Sequence, residues 1–358
     1  MTRPILARID TAAFRHNYLV AKRHAGAARA WAVVKANAYG HGLLPCAEAV
    51  RDVADGFALL EISEALSLRS AGFTQPILML EGFFAEDDLR LAAAYDISVV
   101  IHSQAQLALL ELLELLELER PLNVGLKFNT GMNRLGFLPQ QAPALLARLR
   151  TSGKVGQITL MTHFANADDT GIAAQLACFE GIAADSGLPC SVANSAALLR
   201  FPQAQRDWVR PGIMLYGGSP MPDLNTAAAL GLRPVMSLAS RIIGVQSLQP
   251  GESVGYGSLF RAERPTRVGV VACGYADGYP RHAPSGTPIL VNGQRSRTLG
   301  RVSMDMLACE LTDLAADVGS SVTLWGEGLP ADEVASAAGT VSYELFCALA
   351  PRVPVVLG

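Results

Sequence analysis

WAVVKANAYGHG, residues 31–42, sets the pattern for the first two thirds of the chain. Its first four residues are apolar and predict a buried strand over residues 31–35, and a turn with two glycines follows. The run shows no alternation of polar and apolar side chains, which is typical of a parallel strand covered on both faces. Lys35 stands at the carboxyl end of this strand. The stretch therefore predicts one strand-and-loop unit of an α/β protein, with an amine at the strand end.

Further apolar runs follow Lys35 at similar spacing and alternate with amphipathic segments, among them 43–54, 61–72, 103–118, 138–152 and 171–185. The predicted strands are WAVVK (31–35), GFALL (56–60), PILML (76–80), SVVIH (98–102), NVGLKF (123–128), ITLMTH (158–163), CSVAN (190–194) and GIMLYG (212–217). Eight strand-and-helix units in alternation favour a (β/α)8 barrel over an open doubly wound sheet. We expect this barrel to occupy residues 1–231.

Near residue 230 the pattern changes. The β-rich segments PVMSLASRIIGVQSL, TRVGVVACG, TPILVNGQRSRTLG and SSVTLWG follow, separated by Gly, Pro and the hairpin signal Asn292-Gly293. Short helical segments are expected around 331–349. The sequence therefore predicts a second, mostly β domain over residues 232–358.

The overall composition limits the partners that the protein can have. The net charge of the 358 residues is −3, half of them are apolar and 17% are charged. This balance gives no electrostatic reason to expect nucleic acid or an anionic membrane surface. Apolar runs of about 18 residues, which a membrane span needs, are absent from the sequence, as is a secretion signal at its start. We expect a cytoplasmic enzyme with a small-molecule partner, and no nucleic-acid or membrane partner.

Polar residues stand at the ends of most predicted barrel strands, and the carboxyl ends of the strands form the active face of such barrels. They are Lys35, Lys127 with the following Arg134, His163, Asn194 with Ser195, and Arg210 with Gly212. Desolvation favours the neutral amine of a lysine at such a place, as a Schiff base requires.

Neither a P-loop nor a dinucleotide fingerprint is present. Asn194-Ser195 instead precedes a predicted helix, and the amides of Gly212 and Ile213 follow Arg210. Such amides and hydroxyls suit a phosphate group. A phosphate site beside a reactive lysine indicates pyridoxal 5'-phosphate as the cofactor.

AVVKANAYGHG (32–42) resembles the signature of the fold-type III alanine racemases around the lysine that binds pyridoxal phosphate. Further motifs of that family occur in the same order: LKFNTGMNRLG (126–136), THFANAD (162–168), DWVRPGIMLYG (207–217), VGYGSLF (254–260), GYADGYPR (274–281) and GRVSMDM (300–306). The resemblance covers nearly the whole chain. It implies an enzyme that interconverts L-alanine and D-alanine.

The resemblance also implies roles for single residues. Lys35 would hold the cofactor and act as the base on one face, and Tyr256 would be the base on the other. The remaining cofactor contacts would be Tyr39, Ser195, Gly212 and Ile213 at the phosphate, Arg210 at the pyridine nitrogen and Arg134 at the ring hydroxyl. Arg134 and the backbone amide of Met304 would bind the substrate carboxylate. His163 would link Tyr256 to Arg210, and Lys127, carbamylated in many members, would orient Arg134.

The same resemblance implies a homodimer in which Tyr256 and Met304 complete the barrel site of the partner subunit. Asp168, Tyr275, Arg281 and Arg301 would line the entrance, and Asp305 would be a supporting ion-pair partner. Two positions depart from the family pattern: Asn129 stands where Asp is more common, and Pro351 replaces a phosphate-binding Tyr of some members.

Four alternatives stay open at this point. A fold-type III amino-acid decarboxylase shares the domain arrangement, but the Tyr256 and GYADGYPR motifs match racemases better. A racemase of broader specificity would also accept serine. A non-catalytic pyridoxal-phosphate carrier would resemble the barrel alone. An aldolase would use Lys35 directly, without a cofactor.

Overall fold

The structure, a computed structural model, describes residues 3–112 and 120–358. The chain divides into two compact units. The first, the barrel unit, comprises Arg15–Ala38 and Gly42–Leu215, and the second, the β-rich unit, comprises Met1–Phe14, Tyr39–His41 and Tyr216–Gly358. The helix expected over 103–118 is described as far as Leu112, and the Leu/Glu run at 113–119 lies outside the described residues.

A closed parallel barrel follows the first short strand, β1 (Leu6–Ile9). Its strands are β2 (Arg29–Val33), β3 (Gly56–Leu59), β4 (Ile77–Met79), β5 (Ile97–Ile101), β6 (Leu122–Lys127), β7 (Val155–Met161), β8 (Cys190–Asn194) and β9 (Trp208–Arg210). Each strand pairs in parallel with the next, and β9 pairs with β2 to close the ring. The predicted (β/α)8 barrel is confirmed.

The prediction for the eighth strand was wrong. The strand is Trp208–Arg210, whereas Ile213–Tyr216 within the expected GIMLYG forms a 3-10 turn. Pro211 has no N–H to continue the ladder, so the strand ends before it. Trp208 is held in the barrel by stacking on Trp31, with ring centroids 4.0 Å apart. The apolar residues after Pro211 are buried through packing, which the sequence pattern did not distinguish from a strand.

Helical segments alternate with these strands along the chain, and none in the described part of the chain is long and apolar enough to cross a bilayer. They are α1 (Thr11–Ala25), α2 (Lys35–Tyr39), α3 (Leu43–Ala49), α4 (Ile62–Ser70), α5 (Glu86–Ala94), α6 (Gln104–Leu112), α7 (Ala142–Thr151), α8 (Ala173–Ala183) and α9 (Ser195–Arg200). In α7, Leu145 and Leu149 are buried one turn apart while Arg148 and Arg150 lie outside, which is the pattern of an amphipathic helix.

The β-rich unit contains a second ring of strands. Its elements are β10 (Met236–Leu248), β11 (Ser253–Val254), β12 (Phe260–Arg261), β13 (Thr266–Val271), β14 (Pro288–Val291), β15 (Gln294–Leu299), β16 (Leu307–Glu310), β17 (Ser321–Trp325), α10 (Ala331–Ala338), α11 (Ser342–Cys347) and β18 (Val355–Leu357). The order β10-β13-β16-β15-β14-β17 returns to β10. The predicted mostly β C-terminal region is therefore confirmed.

Two local features of this unit show how the sequence determines it. Asn292 and Gly293 join β14 to β15 with φ values of 50° and 78°, the left-handed pair that a tight hairpin requires. The strand β1 pairs antiparallel with β10 and parallel with β18, so both ends of the chain join one sheet. The sequence did not indicate β1, because four residues that include Arg8 are too short a signal.

We predict that Gly82→Ala destabilises the barrel far more than Gly72→Ala. Both glycines have left-handed φ values, 76° and 78°. A Cβ at Gly82 would lie 1.9 Å from the Val100 carbonyl oxygen, whereas a Cβ at Gly72 would meet nothing within 4 Å. The collision should lower the free energy of unfolding by about 2 kcal/mol beyond the backbone cost that both variants share. Urea unfolding measures the difference, and equal losses would contradict it.

Candidate functional site

Several polar residues at or just after the carboxyl ends of the strands lie at one end of the barrel. Lys35 follows β2, Lys127 ends β6 and Arg210 ends β9, while His163 stands two residues beyond β7. The carboxyl ends of all strands lie on the same face of such a barrel. Burial lowers the pKa of His163, and the nearby positive charges of Arg210, Lys127, Arg134 and Lys35 lower it further. The structure therefore brings these predicted site residues together.

The backbone after Lys35 is strained. Ala36, Asn37 and Ala38 have φ values of 52–53° and ψ values of 47–52°, so α2 is a turn of left-handed helix. This conformation costs about 1–2 kcal/mol for each residue with a side chain. Asn37 fastens the turn, because its carbonyl oxygen accepts from Gly42 N at 3.0 Å and its Oδ1 accepts from Leu43 N at 2.9 Å. Strain of this kind is concentrated at functional sites.

Arg210 is a buried and fixed cation. Its guanidinium donates to the carbonyl oxygens of Thr162 and Ser191, both at 2.6 Å, and to Ser191 Oγ at 2.7 Å. Burial lowers the pKa of Arg210 to about 10, so the group is still charged at neutral pH. None of these acceptors is a carboxylate, so none of them neutralises the guanidinium charge.

The neighbours of Arg210 respond to its charge. Burial and then the charge of Arg210 hold the pKa of His163 well below its ordinary value, so the imidazole is neutral. Burial, followed by the charges of Arg210 and Arg134, lowers the pKa of Lys127 to about 8, although Glu81 opposes the shift. The Lys127 amine is consequently partly neutral near physiological pH, the form that reacts as a nucleophile.

A hydroxyl and two backbone amides lie beside this cluster. Ser195 is buried, and its Oγ accepts a hydrogen bond from Gly212 N at 2.8 Å, with Ile213 directly following. Asn194 is the N-cap of α9, and its Oδ1 accepts from Ala197 N at 3.0 Å, which confirms the predicted helix start. A hydroxyl and adjacent amides are the donors that hold a phosphate.

Asn129 organises the loop that carries Arg134. Its Oδ1 accepts from the amides of Gly131 at 3.1 Å and Asn133 at 2.9 Å, and its Nδ2 donates to Asn133 Oδ1 at 3.0 Å. An aspartate could accept the first two bonds but could not donate the third. The asparagine therefore adds a side-chain link that the more common residue lacks.

The predicted residues of the β-rich unit are mostly exposed. Tyr256 lies on the hairpin between β11 and β12 with 72% of its surface exposed, and Met304 is 53% exposed. Tyr275 and the exposed Arg281 form a cation–π contact of 6.0 Å, and Arg301 is also exposed. Tyr39, by contrast, is buried and stacks on Tyr216 with ring centroids 4.5 Å apart. In the barrel unit, the expected entrance residue Asp168 is exposed.

Two residues that hold Arg210, Thr162 and Ser191, were missed by sequence reasoning. Thr162 lies within THFANAD, and Ser191 lies in the strand CSVAN, where strand alternation could have identified an inward-facing hydroxyl. A group of His, Cys, Asp and Glu able to bind a metal ion is absent from residues 3–112 and 120–358.

Comparisons with known proteins agree over the whole chain. The family model described as alanine racemase, N-terminal domain, matches residues 9–220, and the model described as alanine racemase, C-terminal domain, matches residues 235–357. An alanine racemase of Nitrosospira multiformis is 57% identical over 98% of this chain and 99% of its own length. An alanine racemase of Ralstonia nicotianae is 53% identical over 100% of this chain and 96% of its own length. The crystal structure of a biosynthetic alanine racemase from Pseudomonas aeruginosa superposes with a TM-score of 0.96, at 48% identity and full coverage of both chains.

We predict that Lys127→Met stabilises the ligand-free protein at pH 7. The pKa of Lys127 falls from 10.5 to about 8 on folding, so the unfolded chain binds more protons between those values and stability rises with pH there. Removing the charged amine should raise the free energy of unfolding by about 2 kcal/mol at pH 7 and by little at pH 10.5. Urea unfolding in carbonate-free buffer measures this, with Lys154→Met, at the opposite end of the barrel, as the control. A loss of stability at pH 7 would contradict the lowered pKa.

Proposed function

The chain belongs to the alanine racemase family, and on that premise we propose how its residues share the work of interconverting L-alanine and D-alanine. The observation that carries the proposal is the cluster of positive groups around Lys35 at the barrel mouth. The relatives described above are alanine racemases, so the decarboxylase alternative is not favoured.

Pyridoxal phosphate fits the donor set of the barrel unit. Ser195 Oγ, the Gly212 amide and the Ile213 amide are proposed to hold its phosphate, with Asn194 fixing the turn in which Ser195 lies. Lys35 is proposed to hold its aldehyde carbon. When bound, the cofactor withdraws electrons from the substrate Cα and makes its proton removable. Tyr39 is proposed as a further phosphate contact on the strength of the family motif.

Proton transfer on opposite faces is proposed to be divided between two residues. Lys35 Nζ accepts or donates the Cα proton on one face, and Tyr256 Oη does so on the other. Because each base serves one enantiomer, removal and delivery by different groups inverts the configuration. The neutral His163 is proposed to link Tyr256 to the charged Arg210 through hydrogen bonds.

The remaining positive groups are proposed to orient the substrate. Arg134 and the Met304 amide would bind its carboxylate, and a carbamylated Lys127 would hold Arg134 in place. The lowered pKa of Lys127 supports this modification, because only a neutral amine adds carbon dioxide. Arg210 is proposed to lie at the pyridine nitrogen, and its fixed charge would keep that nitrogen unprotonated.

A homodimer is proposed to complete the site. Tyr256 is a large aromatic residue that is mostly exposed, and Leu259 and Met304 of the same unit are also exposed. Exposed apolar side chains of this size are typical of surfaces that bind a partner. Each barrel would then receive Tyr256 and Met304 from the other subunit, with Asp168, Tyr275, Arg281 and Arg301 around the entrance. A cytoplasmic location stays a prediction.

For Tyr256→Phe we expect the cofactor to stay bound while one direction of proton transfer is lost. Exchange of the Cα proton in deuterated water should fall by at least about 100-fold for one enantiomer and much less for the other. Proton NMR of L-alanine and D-alanine measures both exchange rates. Equal, small losses for the two enantiomers would remove Tyr256 from the mechanism.

The shared site predicts that two inactive variants restore each other. In a mixed dimer of Lys35→Ala and Tyr256→Phe chains, one of the two sites has both native residues. Random exchange of subunits should therefore recover about a quarter of the wild-type activity, since half of the dimers are mixed. Differently tagged chains allow the mixed dimers to be isolated. Mixed dimers without activity would mean that each chain builds its site alone.

A further inference from the structure

Asp277 is a fully buried carboxylate in the β-rich unit, within the motif GYADGYPR. Its two oxygens accept hydrogen bonds from Arg3 at 2.6 Å and 3.0 Å, from Arg352 Nε at 2.7 Å and from Gly274 N at 2.9 Å. Burial by itself would raise the pKa of Asp277, but the hydrogen bonds from Arg3 and Arg352 outweigh burial and keep it below its ordinary value. Asp277 is thus a charged carboxylate at neutral pH.

The same two arginines also reach a second loop. Arg3 Nη2 donates to the Asp305 carbonyl oxygen at 2.6 Å, and Arg352 Nη2 donates to Asp305 Oδ1 at 2.7 Å. One arginine comes from each end of the chain, and both bridge Asp277 to Asp305. The buried carboxylate holds two positive side chains that would otherwise repel each other.

Backbone contacts join this loop to the turn that contains Asp277. Tyr275 N donates to the Ser303 carbonyl oxygen and Ala276 N donates to the Met304 carbonyl oxygen, both at 3.0 Å. A Cβ on Gly274 would lie 2.3–2.5 Å from the backbone of Ser303 and Met304, so only glycine permits this approach. The carbonyl group of Met304 is therefore fixed. The backbone N–H of Met304 has no acceptor among the residues that the structure describes.

We propose that Asp277 is a positioning residue that holds the Met304 amide ready for the substrate carboxylate, through Arg3, Arg352 and the Asp305 loop. The inference rests on the proposed function, in which that amide binds the carboxylate of alanine. Alanine offers few groups for recognition, so a donor that is fixed in advance matters more than it would for a large substrate. A misplacement of about 1 Å at such a donor can cost up to a hundredfold.

The test compares Asp277→Asn with Asp313→Asn in the cofactor-loaded protein. Asp313 pairs with Arg264 at 2.7 Å in the same unit, but both side chains of that pair are mostly exposed. For Asp277→Asn, we expect KM for L-alanine to rise about tenfold and kcat to change much less, because loosened recognition weakens binding of the carboxylate. The dissociation constant of propionate, measured by calorimetry, should rise by a similar factor. Asp313→Asn should leave both within about twofold.

The outcomes separate the two ideas. Wild-type protein that neither racemises alanine nor binds propionate would overturn the proposed function itself. Active wild type together with unchanged KM and propionate affinity in Asp277→Asn would overturn only the positioning role. If Asp277→Asn does not fold, Arg3→Gln decides the matter, since Arg3 is partly exposed and Arg352 remains paired. A raised KM and weaker propionate binding in Arg3→Gln support the role, and unchanged values overturn it.

Discussion

Mutual repulsion among positive side chains at one end of the barrel is the constraint on which the site depends. Lys35, Lys127, Arg134 and Arg210 share that end, and the hydrogen-bond acceptors of the buried Arg210 among the described residues are all neutral. Burial first, and then this repulsion, lowers the pKa values of Lys127 and His163. It also favours anions, and the proposed cofactor and substrate bring a phosphate and a carboxylate. The positive charges at this end of the barrel thus help to keep the Lys127 amine partly neutral, and they attract the phosphate and the carboxylate.

Strain and packing place these charges. The left-handed turn after Lys35 has an unfavourable backbone conformation, and the hydrogen bond between Ser195 and Gly212 is a buried polar contact. An isolated segment would keep neither of them. A closed barrel maintains them, because its strands fix both ends of each loop. In the β-rich unit, the buried Asp277 binds Arg3 and Arg352, one near each end of the chain, and through them is connected to the Asp305 loop, which contains Met304. Tyr256 of the same unit is exposed.

Periodicity and strand-end chemistry predicted the barrel, the β-rich region, the helix start at Asn194 and the group of residues around Lys35. The eighth strand was misplaced because burial of GIMLYG comes from packing after Pro211, and periodicity does not separate that case from a strand. Thr162 and Asp277 could not be assigned from the sequence, since their importance lies in contacts with residues 48 and 274 positions away. Long-range pairing of this kind leaves no local pattern.

Lys35, among the positive groups of the barrel mouth, is proposed to be the residue that holds pyridoxal phosphate. Reduction of the cofactor-loaded protein with borohydride makes that attachment permanent, and proteolysis followed by mass spectrometry locates it. We expect the pyridoxyl group on the peptide that contains Lys35, and its loss from that position in Lys35→Ala. A pyridoxyl group on Lys127 or another lysine, or no labelled peptide from protein that racemises alanine, would contradict it.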